Sequence, residues 1–347
     1  MTLKSPLRIG ILGTANIARQ FVRDVRDSRA VQVVAVASRS MDTARAFADT
    51  FAIAGRHASY EALLAAPDVD AVYIPLPNTL HAPWCIRAAE HGKHVLCEKP
   101  LAVSLKDARA IFSAARAHRV VVLESYPYWF QPQTRDMMAC LTGPVRAMQA
   151  SFGFTLSNPA GNIRLNPDLG GGALLDAGSY PLSLIRLVMG DAPVRVVADA
   201  TMSDSGVDIS TMATLFFSDG RRAQMSCTMD AGHHRRAVII GKTFTIETEY
   251  LNHTSDVVPD PRGYLASELR VRRGIMGAMP FETVRSPAGS GFRFAAEAFA
   301  DMIHARDNAA FERHAAMSDD IAAMLEAIAL SARTGQPVEL AMLRAGL

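Results

Sequence analysis

Residues 7–18 read LRIGILGTANIA, and the order of residue types in this stretch decides the fold. Leu7 to Leu12 is an apolar run of strand length, and Gly13 follows it at once. Beyond the glycine, Ile17, Phe21, Val22 and Val25 recur at helical spacing. A buried strand, a glycine turn and a helix in that order expose backbone N–H groups at a helix N-terminus, where a pyrophosphate can bind. With Gly13 as the first glycine, the pattern over Gly13, Ala15 and Ala18 is G-x-A-x-x-A, a reduced form of the dinucleotide fingerprint. Ala15 still permits a close backbone approach. Gly13, Thr14, Ala15, Asn16 and Ile17 are therefore expected to contact a dinucleotide.

The chain on either side supports this reading. Val31 to Ala37 is a β-branched run, and Thr43 to Phe51 reads as a helix with Ser40 as its N-cap. Ala71 to Ile74, Val95 to Cys97 and Val120 to Leu123 read as further strands, separated by helices over His81 to His91 and Leu105 to His118. Continuously apolar strands alternating with helices imply a parallel sheet covered on both faces. After Glu124 the texture changes to short strands broken by turns such as Ser218-Asp219-Gly220. One long helix, Ala173 to Met189, interrupts them behind Gly170-Gly171-Gly172, and two more close the chain, about Phe292 to Ala305 and Ser318 to Arg333.

The expected fold class is α/β: an N-terminal Rossmann domain with a doubly wound parallel sheet over residues 1–123, then a C-terminal α+β domain over 124–347. The second domain carries an open, largely antiparallel sheet, and its last helices are free to pack back on the first. Asn252 to Gly289, rich in Pro, Gly and charge, shows no legible element.

Bulk properties exclude several classes. A chain of 347 residues is too long for one ordinary core. Its 36 basic and 34 acidic residues nearly balance, so nothing draws it to nucleic acid or a membrane surface. Cys85, Cys97, Cys140 and Cys227 have neither C-x-x-C pairing nor metal-ligand spacing, which fits free thiols in a reducing compartment. No apolar run is long enough to span a bilayer, and the N-terminus has no signal-peptide pattern. A cytoplasmic protein is expected, with no metal.

The second strand ends Val36-Ala37-Ser38-Arg39-Ser40. An acid here would bind the ribose 2′-OH of NAD; Ser38 is neutral and Arg39 offers a planar guanidinium to a 2′-phosphate. NADP is the expected cofactor, with NAD as the alternative.

Three blocks together resemble the Gfo/Idh/MocA family of oxidoreductases: GILGTANIA (10–18), PLPNTLHAPWCIRAAEHGKHVLCEKPLAVS (75–104) and LGGGALLDAGSYPLSLI (169–185). The resemblance implies a nicotinamide in the cleft between the two domains and a small-molecule sugar, cyclitol or related polyol as substrate. It also implies a homodimer or homotetramer formed through the open C-terminal sheet. Residue by residue, it places Pro77, Asn78 and His81 near the cofactor, Glu98 at the nicotinamide ribose, and Lys99, Asp176 and Tyr180 at the reacting centre. Tyr180 stands where inositol-type members have His, which puts the chain nearer the xylose dehydrogenase and dihydrodiol dehydrogenase groups. One segment departs from those groups: where they often have M-x-R-F-H-P, this chain has Tyr126-Pro-Tyr128-Trp129-Phe130-Gln131-Pro132, which implies a more aromatic, less cationic pocket.

Hydride transfer needs a proton moved to or from the carbinol oxygen, and a phenol near its ordinary pKa of about 10 is a poor base at neutral pH. The expectation is that Tyr180 transfers the proton, that the Lys99 ammonium lowers its pKa, and that Asp176 orients the substrate hydroxyl. Asp176 and Tyr180 are four apart, which puts them on one face of an α-helix. Two other functions use the same frame: an NAD-assisted glycosidase, and a regulatory protein that senses the nucleotide without catalysis. The second would be expected to have lost Lys99, Asp176 and Tyr180.

Overall fold

The computed structural model describes residues 5–249, 267–287 and 289–346. Of the stretch without legible elements, residues 252–266 and 288 lie outside the described residues, as does the start of the chain; the rest contains two strands. The first half builds a six-stranded sheet in the order β3-β2-β1-β4-β5-β6. Its strands are β1 (Leu7–Leu12), β2 (Val31–Ala37), β3 (Gly55–His57), β4 (Ala71–Ile74), β5 (His94–Glu98) and β6 (Val122–Ser125). All pair in parallel. The order reverses between β1 and β4, and in open α/β sheets ligands bind at such a switch point, beyond the carboxyl ends of the strands.

Helices α1 (Asn16–Val25), α2 (Met41–Phe51), α3 (Tyr60–Leu64), α4 (Asn78–Glu90) and α5 (Leu105–Ala117) form the crossovers. Every residue of β4 and β6 is buried, as continuous apolar strands between two helical layers must be. The three-residue edge strand β3 and the short helix α3 escaped the sequence reading, since neither is long enough to show a period.

After α6 (Pro132–Ala139) the chain builds a nine-stranded sheet in the order β14-β13-β12-β11-β7-β10-β9-β8-β15. These strands are β7 (Val145–Thr155), β8 (Arg195–Met202), β9 (Asp208–Phe216), β10 (Arg222–Thr228), β11 (Asp230–Gly241), β12 (Phe244–Thr248), β13 (Ser267–Arg273), β14 (Glu282–Ser286) and β15 (Val338–Glu339). Every pair is antiparallel except β7 with β10. Helix α7 (Ser179–Met189) and the long α9 (Asn308–Thr334) pack against this sheet, and α10 (Leu340–Ala345) ends the chain.

Helix α8 (Gly291–Ala305) returns to the first sheet. Its Phe292 and Phe299 join the buried cluster of Ile9, Ile11 and Phe21, and the Phe292 ring meets Phe21 edge-on at 6.0 Å. Ser290, the N-cap of α8, donates to the buried Asp24 carboxylate of α1 at 2.7 Å. Among the described residues no helix is long and apolar enough to cross a membrane, and no cluster of His, Cys, Asp and Glu is arranged to hold a metal.

Candidate active site

The carboxyl ends of β1, β4 and β5 open onto a cleft of about 360 Å³ whose far wall comes from the second sheet. Ala15, Ile17, Leu76, Pro77, Glu98 and Lys99 line the near side, and Phe152, Phe154, Ile163, Arg164, Asp176 and Tyr180 the far side.

The near side fits a dinucleotide. Gly13 has φ +104°, a conformation that side chains rarely adopt, and a Cβ there would stand 3.0 Å from Leu76 Cδ2. Helix α1 begins behind Ala15 with no side-chain cap, and α4 begins behind Pro77 in the same way. Each leaves first-turn N–H groups free for an anion. Gly13 N–H donates to the Ala37 carbonyl at 2.9 Å, which holds the turn against the end of β2 where Ser38 and Arg39 emerge. Ser38 is buried and Arg39 exposed. Tyr60, which the sequence reading missed, feels the Arg39 charge, and its hydroxyl lies 3.6 Å from where a Gly13 Cβ would stand. Thr14 and Asn16 complete the turn into α1.

Two of the residues expected near the cofactor also brace the scaffold. His81 is fully buried, with Nδ1 2.7 Å from the Pro100 carbonyl and Nε2 2.8 Å from the Leu76 carbonyl. Both ring nitrogens face backbone carbonyls, while the residue also lines the cleft. Its part is to tie the loop after β4 to the loop after β5. The Asn78 amide donates to the Gly170 carbonyl at 2.8 Å, latching the start of α4 to the glycine run. The run needs its glycines: Gly170 has φ +72°, and a Cβ on Gly171 would come within 2.5 Å of the Arg164 carbonyl.

Glu98 accepts a hydrogen bond from the Tyr73 hydroxyl at 2.7 Å. Burial pushes its carboxyl up, against that bond and the Lys99 charge. Lys99 Nζ donates to the Asp176 carbonyl at 2.6 Å and to its Oδ1 at 3.0 Å. Arg164 Nε donates to the other oxygen, Oδ2, at 2.5 Å. One carboxylate thus holds two cations. Burial alone would raise the Asp176 pKa, but the Lys99 and Arg164 charges and their hydrogen bonds outweigh it and hold it at about 2. Arg164, whose place ahead of the glycine run makes it a candidate to touch nicotinamide or substrate, joins the site through this contact.

Asp176 and Tyr180 are not related by a regular α-helical turn. Leu174–Gly178 is a π-helical segment that runs into α7 at Ser179, with Asp208 Oδ2 accepting the Leu174 N–H at 2.7 Å. Single-turn π segments recur at functional sites. Lys99 Nζ sits over the face of the Tyr180 ring, 4.7 Å from its centre. The phenol pKa moves opposite to the expected direction. Burial raises it, and the charges of Glu98 and Asp176 raise it further. The Arg164 charge acts in the lowering direction but is outweighed, while Lys99, paired with Asp176, lies over the ring face.

The departing segment is also structural. Trp129 Nε1 donates to the Tyr128 hydroxyl at 2.9 Å and its ring lies against His314. Gln131 is buried, with its amide 3.5 Å from the Gly289 carbonyl. Neither lines the cleft, whose aromatic wall comes from Phe152 and Phe154 on β7 instead.

Comparison with known proteins agrees with this architecture. Residues 7–126 match the model of an oxidoreductase family with an NAD-binding Rossmann fold, GFO_IDH_MocA, and residues 140–247 match the GFO/IDH/MocA C-terminal domain. The chain is 35% identical over 347 aligned residues to D-xylose 1-dehydrogenase (NADP(+)) 2 of Haloferax volcanii, covering 96% of this chain and 100% of that protein. It is 44% identical over 216 residues to a dTDP-3,4-didehydro-2,6-dideoxy-α-D-glucose 3-reductase of Streptomyces violaceoruber, covering 60% and 62% of the two. The crystal structure of a 3-ketoreductase from Actinomadura kijaniata in complex with NADP and TDP-benzene superposes with a TM-score of 0.81 at 31% identity, over 94% of this chain and 98% of that one.

Proposed function

The chain belongs to the Gfo/Idh/MocA oxidoreductase family, and on that premise we propose that it moves a hydride between NADP and a carbinol or carbonyl of a sugar, a cyclitol or a related polyol. The observation that carries the reading is the Lys99–Asp176–Arg164 constellation beside Tyr180, in a cleft whose other wall offers two uncapped helix N-termini.

When bound, NADP supplies the hydride or accepts it. Gly13 to Ile17 hold its pyrophosphate, Ser38 and Arg39 its 2′-phosphate, and Pro77 and Glu98 the end near the nicotinamide. Lys99 donates to the substrate oxygen that becomes or ceases to be an alkoxide, and Asp176 sets the direction of that ammonium. Tyr180, whose phenol is held protonated by burial and two nearby carboxyls, donates its proton to the oxygen in the reductive direction. Phe152, Phe154 and Ile163 give the substrate an apolar wall that excludes water.

Use of NADP by the Haloferax and Actinomadura relatives supports the same cofactor here, and the sugar in the names of the xylose dehydrogenase and the dTDP-sugar reductase supports the substrate class. Residues 1–123 serve as the cofactor domain and 124–347 as the substrate domain. The second sheet's outer face, with Met212 63% and Val197 40% exposed around a shallow concavity of about 760 Å³, is the surface that fits a second copy of the chain.

The test is turnover of aldoses, cyclitols and dihydrodiols with NADP and NAD separately, followed by Tyr180→Phe. Loss of the phenol should lower kcat by about 10²–10⁴-fold while NADP binding stays intact. Near-wild-type turnover in that variant would remove Tyr180 from the mechanism.

A further inference from the structure

One buried acid close to this site has no part in the mechanism above. Glu124 lies in β6 beside β5, where it pairs in register with Cys97, two residues before Lys99. It is 2% exposed and does not line the cleft. Two routes nevertheless join it to Lys99. Along the chain, Oε1 accepts the Leu101 N–H at 2.8 Å, so the carboxyl anchors the segment that carries Lys99. Through space, Tyr126 is a neighbour of both Glu124 and Ser179, and its ring meets that of Tyr180 edge-on at 5.8 Å. Ser179 Oγ donates to the Asp176 carbonyl at 3.3 Å, and that same carbonyl accepts from Lys99 Nζ at 2.6 Å.

The carboxyl is incompletely satisfied. Ser318 on α9 and Tyr126 approach it, yet Glu124 Oε2 and the Tyr126 hydroxyl are buried without closing a hydrogen bond. An ionised carboxylate with one bare oxygen is costly in such a place, whereas the neutral acid costs much less.

We propose that Glu124 is a positioning residue whose carboxyl, by taking a proton from solvent or releasing one to it, sets the charge behind Lys99 and so the pH range in which Lys99 and Tyr180 serve the substrate oxygen. The proposal rests on the reading of Lys99 and Tyr180 given above. Burial raises this carboxyl to about 7, against the contacts from Ser318, Leu101 and Tyr126 and the attraction of Lys99. The other groups around it do not compete for that proton. The Cys97 thiol on β5 and the phenols of Tyr126 and Tyr128 are all pushed up by burial and stay neutral. On α9, Asp319 and Asp320 follow Ser318 and are paired with Arg109, Arg186 and Arg344.

The experiment is NMR of the whole chain without cofactor, labelled with ¹³C at the Glu carboxyl and the Lys ε-carbon, and assigned with Glu124→Gln and Lys99→Met. Glu124→Gln keeps an oxygen for the Leu101 N–H. The Glu124 carboxyl should titrate at about 7, and the Lys99 ε-carbon should show a step at the same midpoint that is absent from Glu124→Gln. A carboxyl titrating below about 5, or a Lys99 signal flat through neutrality, overturns the proposal on the wild-type chain alone. A step that survives Glu124→Gln overturns it as well.

The activity readout is kcat against pH with D-xylose and NADP. The Glu124→Gln profile should lose the limb near neutrality, or move it by about one pH unit or more, with KM for NADP unchanged. An active enzyme with an unaltered profile counts against Glu124 only, whereas full activity in Tyr180→Phe would count against the underlying reading.

Discussion

Replacing Asp176 with Asn isolates the charge that binds the two halves of the site. Folding lowers this carboxyl from its ordinary 3.8 to about 2, because Lys99 and Arg164 flank it. At about 1.4 kcal/mol per pH unit, a fall of nearly two such steps contributes about 2 kcal/mol of stability when the group is ionised. The sign follows from the depressed pKa: the contribution is present above the unfolded value of 3.8 and is lost as pH falls through about 2. The Lys99 side chain is only 10% exposed and that of Asp176 20%, so solvent screens the pair weakly. Removing one partner of a buried pair costs up to about 3–5 kcal/mol. The Asn amide oxygen and the untouched backbone carbonyl still accept from Lys99, which puts the expected loss at the lower end, about 2–3 kcal/mol near neutral pH. The assay is urea unfolding of both proteins across acid and neutral pH, followed by circular dichroism and by the fluorescence of Trp84 and Trp129. A value is taken where the two probes coincide, as a chain with two sheets requires. The gap should narrow steadily as the wild-type carboxyl is protonated. A gap below about 0.5 kcal/mol, or one that stays constant into acid, would refute the account of Asp176 as the counter-ion of both cations.

Two further outcomes follow from single positions. Arg39→Ala should raise KM for NADP by about 10- to 100-fold and leave KM for NAD nearly unchanged, because only the 2′-phosphate loses its partner. Steady-state kinetics with both cofactors checks this, and equal losses for the two would place Arg39 elsewhere. Ala52 ends α2 at φ +55°, a left-handed conformation that glycine adopts without strain. Ala52→Gly should therefore stabilise the chain by about 0.5–1 kcal/mol, net of the glycine's greater freedom when unfolded, and urea unfolding reads it directly.

The parts of this protein that were legible in its sequence are those where local chemistry and tertiary role coincide. Leu7 to Leu12 must be a buried strand and Gly13 must turn, whatever packs around them, and the strand-by-strand alternation to Leu123 gives the doubly wound sheet. Lys99 was legible in the same way, since charge directly after a buried strand is delivered to the ligand edge of a parallel sheet. Neighbours brought together by folding were not. Arg164 comes from a short turn before the glycine run, and only the folded chain brings it within 2.5 Å of Asp176. His81 does line the cleft as its motif implied, but motif spacing does not report that its ring nitrogens would face the Leu76 and Pro100 carbonyls. The π segment at Leu174–Gly178 was equally invisible, because apolar residues there satisfy α-helical spacing too.

The failed expectation about the phenol leads to a different view of the cations. An ammonium lowers a neighbour's pKa only by the charge it has left after its own counter-ion is counted. Lys99 and Arg164 share the single carboxylate of Asp176, which leaves one surplus positive charge on the far side of the cleft. Glu98 faces that charge from the near side, where burial raises its carboxyl against the Tyr73 hydrogen bond and the attraction of Lys99. On the proposed reading the two cations face the place where a carbonyl oxygen would gain charge as a hydride arrives, and a protonated Tyr180 stands beside Lys99. Such an arrangement stabilises developing negative charge without holding a phenolate in the resting protein. In the proposed mechanism Lys99 and Arg164 would serve the substrate oxygen, and Tyr180 would give up its proton only when that oxygen had become the stronger base.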